Sequence, residues 1–121
     1  MPTKIIKNNQ PKEAFTEERC YIKENYSAPN VSIAQARVRP GVTTRLHSLK
    51  GVEEIYIVVR GKGKVEIGDL EPAEVGAGDV VLITPGTSQK ITNVGKTDLL
   101  FYCVCTPRFT AECYSNLESE K

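Results

Sequence analysis

The 121-residue sequence has almost no net charge: sixteen Lys plus Arg stand against fifteen Asp plus Glu, interspersed without a basic run or an acidic tail. The electrostatic footprint of a nucleic-acid or anionic-membrane binder is therefore missing, and neither is an expected partner. Long apolar runs are missing too. The start, Met1-Pro2-Thr3-Lys4-Ile5-Ile6-Lys7, has no apolar core of signal-peptide length, and no later segment approaches a membrane-spanning length, so the expected setting is soluble and cytoplasmic. Histidine occurs once, at His47. The four cysteines, at 20, 103, 105 and 113, match no zinc-finger or zinc-ribbon spacing, and in a reducing compartment they read as free thiols. Cys103 and Cys105 share one face of a strand-like run, where small buried thiols are a commoner outcome than a soft-metal pair.

What is present is a series of short Val- and Ile-rich runs, each stopped by Gly, Pro, Asn or Asp. The runs are Val31–Val38, Glu54–Val59, Lys64–Ile67, Val80–Ile83, Lys90–Val94 and Leu99–Cys105. This pattern predicts an all-β barrel or sandwich, and the length suits one domain with one pocket. Residues 1–24 read as an N-terminal arm with an additional strand over Arg19–Lys23, residues 25–107 as the barrel, and residues 108–121 as a helical tail. In that tail Thr110 is a candidate N-cap for a helix over Ala111–Leu117, with Phe109 and Tyr114 spaced for a hydrophobic staple. Ile55–Val59 is apolar on both faces, which predicts a homodimer packed sheet against sheet unless the arm or the tail covers that surface.

Two segments carry the chemistry. In the first, Gly41 precedes His47 by five intervening residues, Leu49 follows, then Glu54, and after six more residues Gly61. In the second, Gly78-Asp79 precedes an apolar strand and a Pro85-Gly86 turn, with Gln89 and Asn93 beyond it. Together they resemble the two cupin motifs, and the resemblance implies a double-stranded β-helix, the jelly-roll barrel of that family, with the short C-terminal helix added. It also implies a metal site at His47, Glu54 and Gln89. Leu49 and Gln89 stand where the family pattern has histidines, so the implied divalent metal (Zn, Fe, Ni or Mn) is weakly held or absent, because an amide is a poor ligand and a leucine is none.

Strand alternation independently puts Glu54, Tyr56 and Val58 on one face, and Gln89, Ile91 and Asn93 on one face of another strand. A carboxylate inside a small barrel needs a donor or cation, and His47 is the nearby candidate. His47, Glu54 and Tyr56 are thus the candidate catalytic groups, with Arg37, Arg45 and Gln89 as candidate ligand contacts. The register of Val31–Arg39 leaves open whether Ile33, Gln35 and Arg37 or Ala34, Ala36 and Val38 point inward. The expected ligand is a sugar-like or carbonyl metabolite. Metal-dependent oxygenase or isomerase chemistry, metal-free acid–base epimerase chemistry and a non-enzymatic binding pocket all stay open, because one barrel hosts many functions.

Overall fold

The structure is a computed structural model that describes residues 2–8 and 12–118. Eleven strands are defined among those residues: β1 (Ala14–Phe15), β2 (Tyr21–Ala28), β3 (Val31–Val38), β4 (His47–Leu49), β5 (Glu53–Arg60), β6 (Gly63–Ile67), β7 (Ala73–Val75), β8 (Val80–Ile83), β9 (Gln89–Asn93), β10 (Leu99–Thr106) and β11 (Tyr114–Asn116). They form two antiparallel sheets, in the orders β1-β2-β3-β10-β5-β8 and β11-β4-β9-β6-β7. No described helix is long and apolar enough to cross a membrane.

Period-two alternation decides which side chains meet between the sheets. Tyr56 and Val58 of β5, Val65 and Ile67 of β6, Ile91 of β9, and Leu99 and Phe101 of β10 make one buried cluster. The same rule settles the open register of β3: Ser32, Ala36 and Val38 are buried, and Arg37 is on the other face. A bulge between Glu24 and Tyr26 in β2, and another at Val59 in β5 opposite Leu100 and Phe101, bend the larger sheet around this core. Two positions fix the closing turns. Gly61 sits at φ +91, and a Cβ there would lie 2.8 Å from the Asp98 carbonyl oxygen, so only glycine fits. Asn93 donates to the carbonyls of Val38 and Thr97, both at 2.8 Å, and accepts from Gly95 N–H at 2.9 Å. One buried amide thereby ties β3, β9 and the loop before β10.

The C-terminal segment differs from the expected helix over Ala111–Leu117. A single 3-10 turn spans Ala111–Cys113, and the chain then becomes β11, which pairs with β4 as Tyr114↔Leu49, Ser115↔Ser48 and Asn116↔His47. Thr110 is extended and its side chain makes no cap hydrogen bond. The physical reason is tertiary: β4 lies next to the end of its sheet, and backbone pairing there, with Cys113 buried against Leu49, Val52 and Cys105, outweighs a local cap. The two staple residues still meet, with the Phe109 and Tyr114 rings edge to face at 6.5 Å, but across a turn and not along a helix. At the other end β2 starts at Tyr21 and runs on to Ala28, so a division between arm and barrel at residue 24 would cut a strand.

Candidate functional site

A pocket enclosing about 660 Å³, part of it open solvent at the mouth, lies between the sheets. Its walls are the inward side chains of β3 (Ser32, Ala34, Ala36), β4 (His47, Leu49), β5 (Glu54, Tyr56) and β10 (Phe101, Cys103, Cys105), with Ile22 and Glu24 of β2, and Glu18, Cys20, Thr44 and Phe109 from loops. All four cysteines are free. Burial pushes the Cys20 thiol up to about 12, and burial together with the Glu54 charge pushes Cys103 and Cys105 up as well. These are protonated, poorly nucleophilic thiols at neutral pH.

His47 and Glu54 both line the pocket, but the partner of His47 is a residue not anticipated from sequence. His47 Nδ1 lies 2.7 Å from the Arg45 carbonyl oxygen and 3.2 Å from Glu18 Oε1. A carbonyl only accepts, so Nδ1 carries the proton and the neutral ring keeps its lone pair on Nε2. The imidazole also stacks on Tyr114 of β11, with ring centroids 5.0 Å apart. Glu18 reaches this position because residues 16–20 form a tight turn. Thr16 N–H donates to the Cys20 carbonyl, Arg19 N–H donates to the Thr16 carbonyl, and Arg19 sits at φ +69. That left-handed backbone costs a non-glycine residue about 1–2 kcal/mol. It is held in place by the Arg19 guanidinium, which donates to the Thr43 carbonyl at 3.0 Å and pairs with Glu118, whose carboxylate also accepts from Leu46 N–H. Burial raises the Glu18 carboxyl pKa, against the lowering effect of His47 and Arg45.

Glu54 is 7 % exposed. Its Oε2 accepts a long contact from Cys105 Sγ at 3.6 Å, while its Oε1 has no partner. Desolvation pushes its pKa up, the nearby Glu18 charge adds to that, and His47 and the Gln89 amide oppose it. The Gln89 nitrogen is close enough for that influence yet makes no hydrogen bond of its own. Tyr56 donates its hydroxyl to Gln89 Oε1 at 2.5 Å, and burial holds its pKa well above 10.

The remaining candidates fall elsewhere. Arg37 is on the outer face of β3, donating to Glu13 at 2.7 and 3.0 Å and to Asp98 at 2.8 Å, and lying over the Tyr21 ring, so it is not a pocket contact. Arg45 takes part through its carbonyl; its guanidinium does not line the pocket and lies 3.9 Å from Glu17. Gln89 pairs with His47 across β4 and β9 but is 1 % exposed and sits behind Tyr56, outside the lining.

The implied metal set does not fit an ion. The amide oxygen that would have to coordinate is taken up by Tyr56, and the second motif histidine is the buried Leu49, which leaves His47 Nε2 and Glu54 alone of the implied set. Among the described residues no three His, Cys, Asp or Glu side chains converge so as to hold a metal.

The chain belongs to the cupin family: residues 34–105 match the cupin domain model. It is 34 % identical over 122 residues to the uncharacterized protein MJ1618 of Methanocaldococcus jannaschii, covering 95 % of this chain and 97 % of that one. It is 37 % identical over 71 residues to an oxalate-binding protein of Thermotoga maritima, covering 59 % of this chain and 58 % of that one. Among solved structures it is similar to KdgF from Halomonas sp., with a TM-score of 0.82 at 18 % identity, covering 92 % of this chain and 99 % of that one.

Proposed function

We propose that this cupin binds a small sugar-like or carbonyl metabolite and moves protons on it without a metal, as an isomerase or epimerase does. The observation that carries the reading is the pair of opposed groups in one pocket: Glu54, buried with Oε1 unpartnered, and His47, held in the Nδ1–H form. A buried carboxyl with a strengthened hold on its proton, beside an imidazole with an open ring nitrogen, supplies an acid and a base in one site. His47 Nε2 takes the proton from the carbon beside the carbonyl, and Glu54, whose hold on its proton burial strengthens, gives that proton to the carbonyl oxygen. The enediol then gives the proton of its other oxygen to Glu54 and takes the His47 proton on the former carbonyl carbon, so the carbonyl moves to the neighbouring carbon with no electron acceptor required. Glu18 stabilises the imidazolium formed on the way. Tyr56, with its proton donated to Gln89, shapes the wall and holds that amide.

The test is proton exchange in D2O on a panel of ketoses and aldoses, followed by NMR. Deuterium enters beside the carbonyl with the native chain, with or without chelator, and not with His47→Gln or Glu54→Gln. A non-enzymatic pocket would bind without exchange, and a metal enzyme would lose exchange on chelation.

The assembly proposed is a homodimer through the outer face of the larger sheet. Ile57 and Val59 of β5 are 39 % and 43 % exposed, and Val80 and Leu82 of β8 are 61 % and 56 % exposed. Ile57 and Val80 are cross-strand partners, as are Ile55 and Leu82, so these side chains form one apolar patch.

A further inference from the structure

Three carboxyl groups line the pocket, those of Glu18, Glu24 and Glu54, and among the described residues no lysine or arginine does. The two guanidiniums expected there are engaged elsewhere, Arg37 by Glu13 and Asp98 on the outer face, and Arg45 towards Glu17. His47 is the one basic group in the lining, and its Nδ1 is already shared between Glu18 and the Arg45 carbonyl. The surrounding wall is apolar, with Ala34, Ala36 and Phe101 facing the carboxyls. Glu54 is buried and lines the cavity, and its Oε1 makes no hydrogen bond.

Resting on the proton-transfer reading of this same site, we infer that the pocket admits uncharged hydroxyl- or carbonyl-bearing ligands and turns away carboxylates. A hydroxyl or carbonyl exchanges a hydrogen bond with Glu54 at no electrostatic cost. A carboxylate brings a further negative charge beside the Glu18 and Glu24 carboxylates, with no lysine or arginine in the lining to meet it. Burial raises the Glu54 pKa most and the Glu18 charge adds to it; that charge acts on an incoming anion in the same sense. Dicarboxylates are excluded most strongly.

The lining thiols Cys103 and Cys105 supply a probe that needs no knowledge of the ligand. Iodoacetamide and iodoacetate are matched in size and differ by one negative charge. The intact chain is alkylated with each at low salt and alkaline pH, and the rates at Cys103 and Cys105 are resolved by peptide mass spectrometry. The iodoacetate-to-iodoacetamide rate ratio is expected to fall at least about tenfold below that of glutathione, and to recover with added salt. Recovery is also expected in the Glu18→Gln/Glu24→Gln/Glu54→Gln variant. A native ratio equal to that of glutathione overturns the inference. So does a lowered ratio that neither salt nor the triple variant changes; the pH is raised until iodoacetamide modifies Cys103 and Cys105, because burial holds both thiols protonated. Charge selection with no deuterium exchange on any sugar refutes the proton-transfer reading alone.

Discussion

Glu18 Oε1 lies 3.2 Å from His47 Nδ1, and the same nitrogen donates to the Arg45 carbonyl at 2.7 Å. The two acceptors do different work. The carbonyl holds the tautomer, since it accepts whatever the protonation state of Glu18, while the carboxylate supplies the negative charge that steadies an imidazolium. Glu18→Gln is therefore expected to leave the Nδ1–H tautomer intact, as read by 15N NMR of the single histidine, yet slow exchange on a carbonyl substrate. His47→Gln is expected to slow it further, by about 10²–10⁴-fold. A tautomer change in Glu18→Gln would mean that the carboxylate and not the carbonyl orients the ring.

The raised pKa of Glu54 sets the sign of a pH effect on stability. The folded chain holds this proton at pH values where the unfolded chain, with a carboxyl near 4.5, has released it. The contribution is fully present below about pH 4.5 and is lost as pH rises through the higher folded value; each tenfold gain in proton affinity on folding corresponds to about 1.4 kcal/mol. Glu18, also raised, acts in the same direction. Urea titrations of the native chain and of Glu54→Gln should show stability falling more steeply with rising pH in the native chain. Parallel curves would place the Glu54 carboxyl in a solvated environment.

The strand positions were legible from the sequence because their stops are chemical: Pro40-Gly41, Gly61, Gly68-Asp69 and Pro85-Gly86 leave little freedom in where a run ends. Val80–Ile83 matches residue for residue, and inward-facing His47, Glu54 and Tyr56 follow from period-two spacing. Glu18 was not legible. It sits in a polar turn whose shape depends on Arg19 adopting a positive φ under the pull of Glu118, 99 residues away, and no local pattern reports that. The same holds for Tyr114, where local cap and staple signals favour a helix and long-range pairing with β4 prevails. Arg37 was ambiguous because both faces of β3 carry small or apolar residues, and only the positions of Glu13 and Asp98 draw it outward.

Asn93 offers a test of the barrel closure that is independent of the pocket. Its side chain, 1 % exposed, satisfies the buried Val38 carbonyl, the Thr97 carbonyl and the Gly95 N–H. Asn93→Ala leaves those backbone groups without partners and should cost about 2–4 kcal/mol by urea denaturation. Asn93→Asp keeps the acceptor but sets a carboxylate against the Val38 and Thr97 carbonyls, and should be no milder. A loss below about 0.5 kcal/mol in Asn93→Ala would show that the loop before β10 closes without this amide.

The outer sheet face gives the last prediction. Val80 and Leu82 are on β8, the end strand of the larger sheet, and beside them Ile55, Ile57 and Val59 continue the apolar surface across β5. A stable interface of ordinary size buries about 800 Å² per partner and places its apolar residues at the centre. Because these side chains point away from the core, a charge placed there leaves the pocket and the Ile91–Phe101 cluster untouched. Ile57→Lys/Leu82→Lys should run as a monomer in light scattering and retain the fold by circular dichroism, while the native chain runs at twice the chain mass. The two lysines would face their own symmetry mates in a two-fold dimer, so repulsion adds to the lost burial. If the native chain is itself a monomer at tens of micromolar, the exposed β5–β8 face is not a self-association surface.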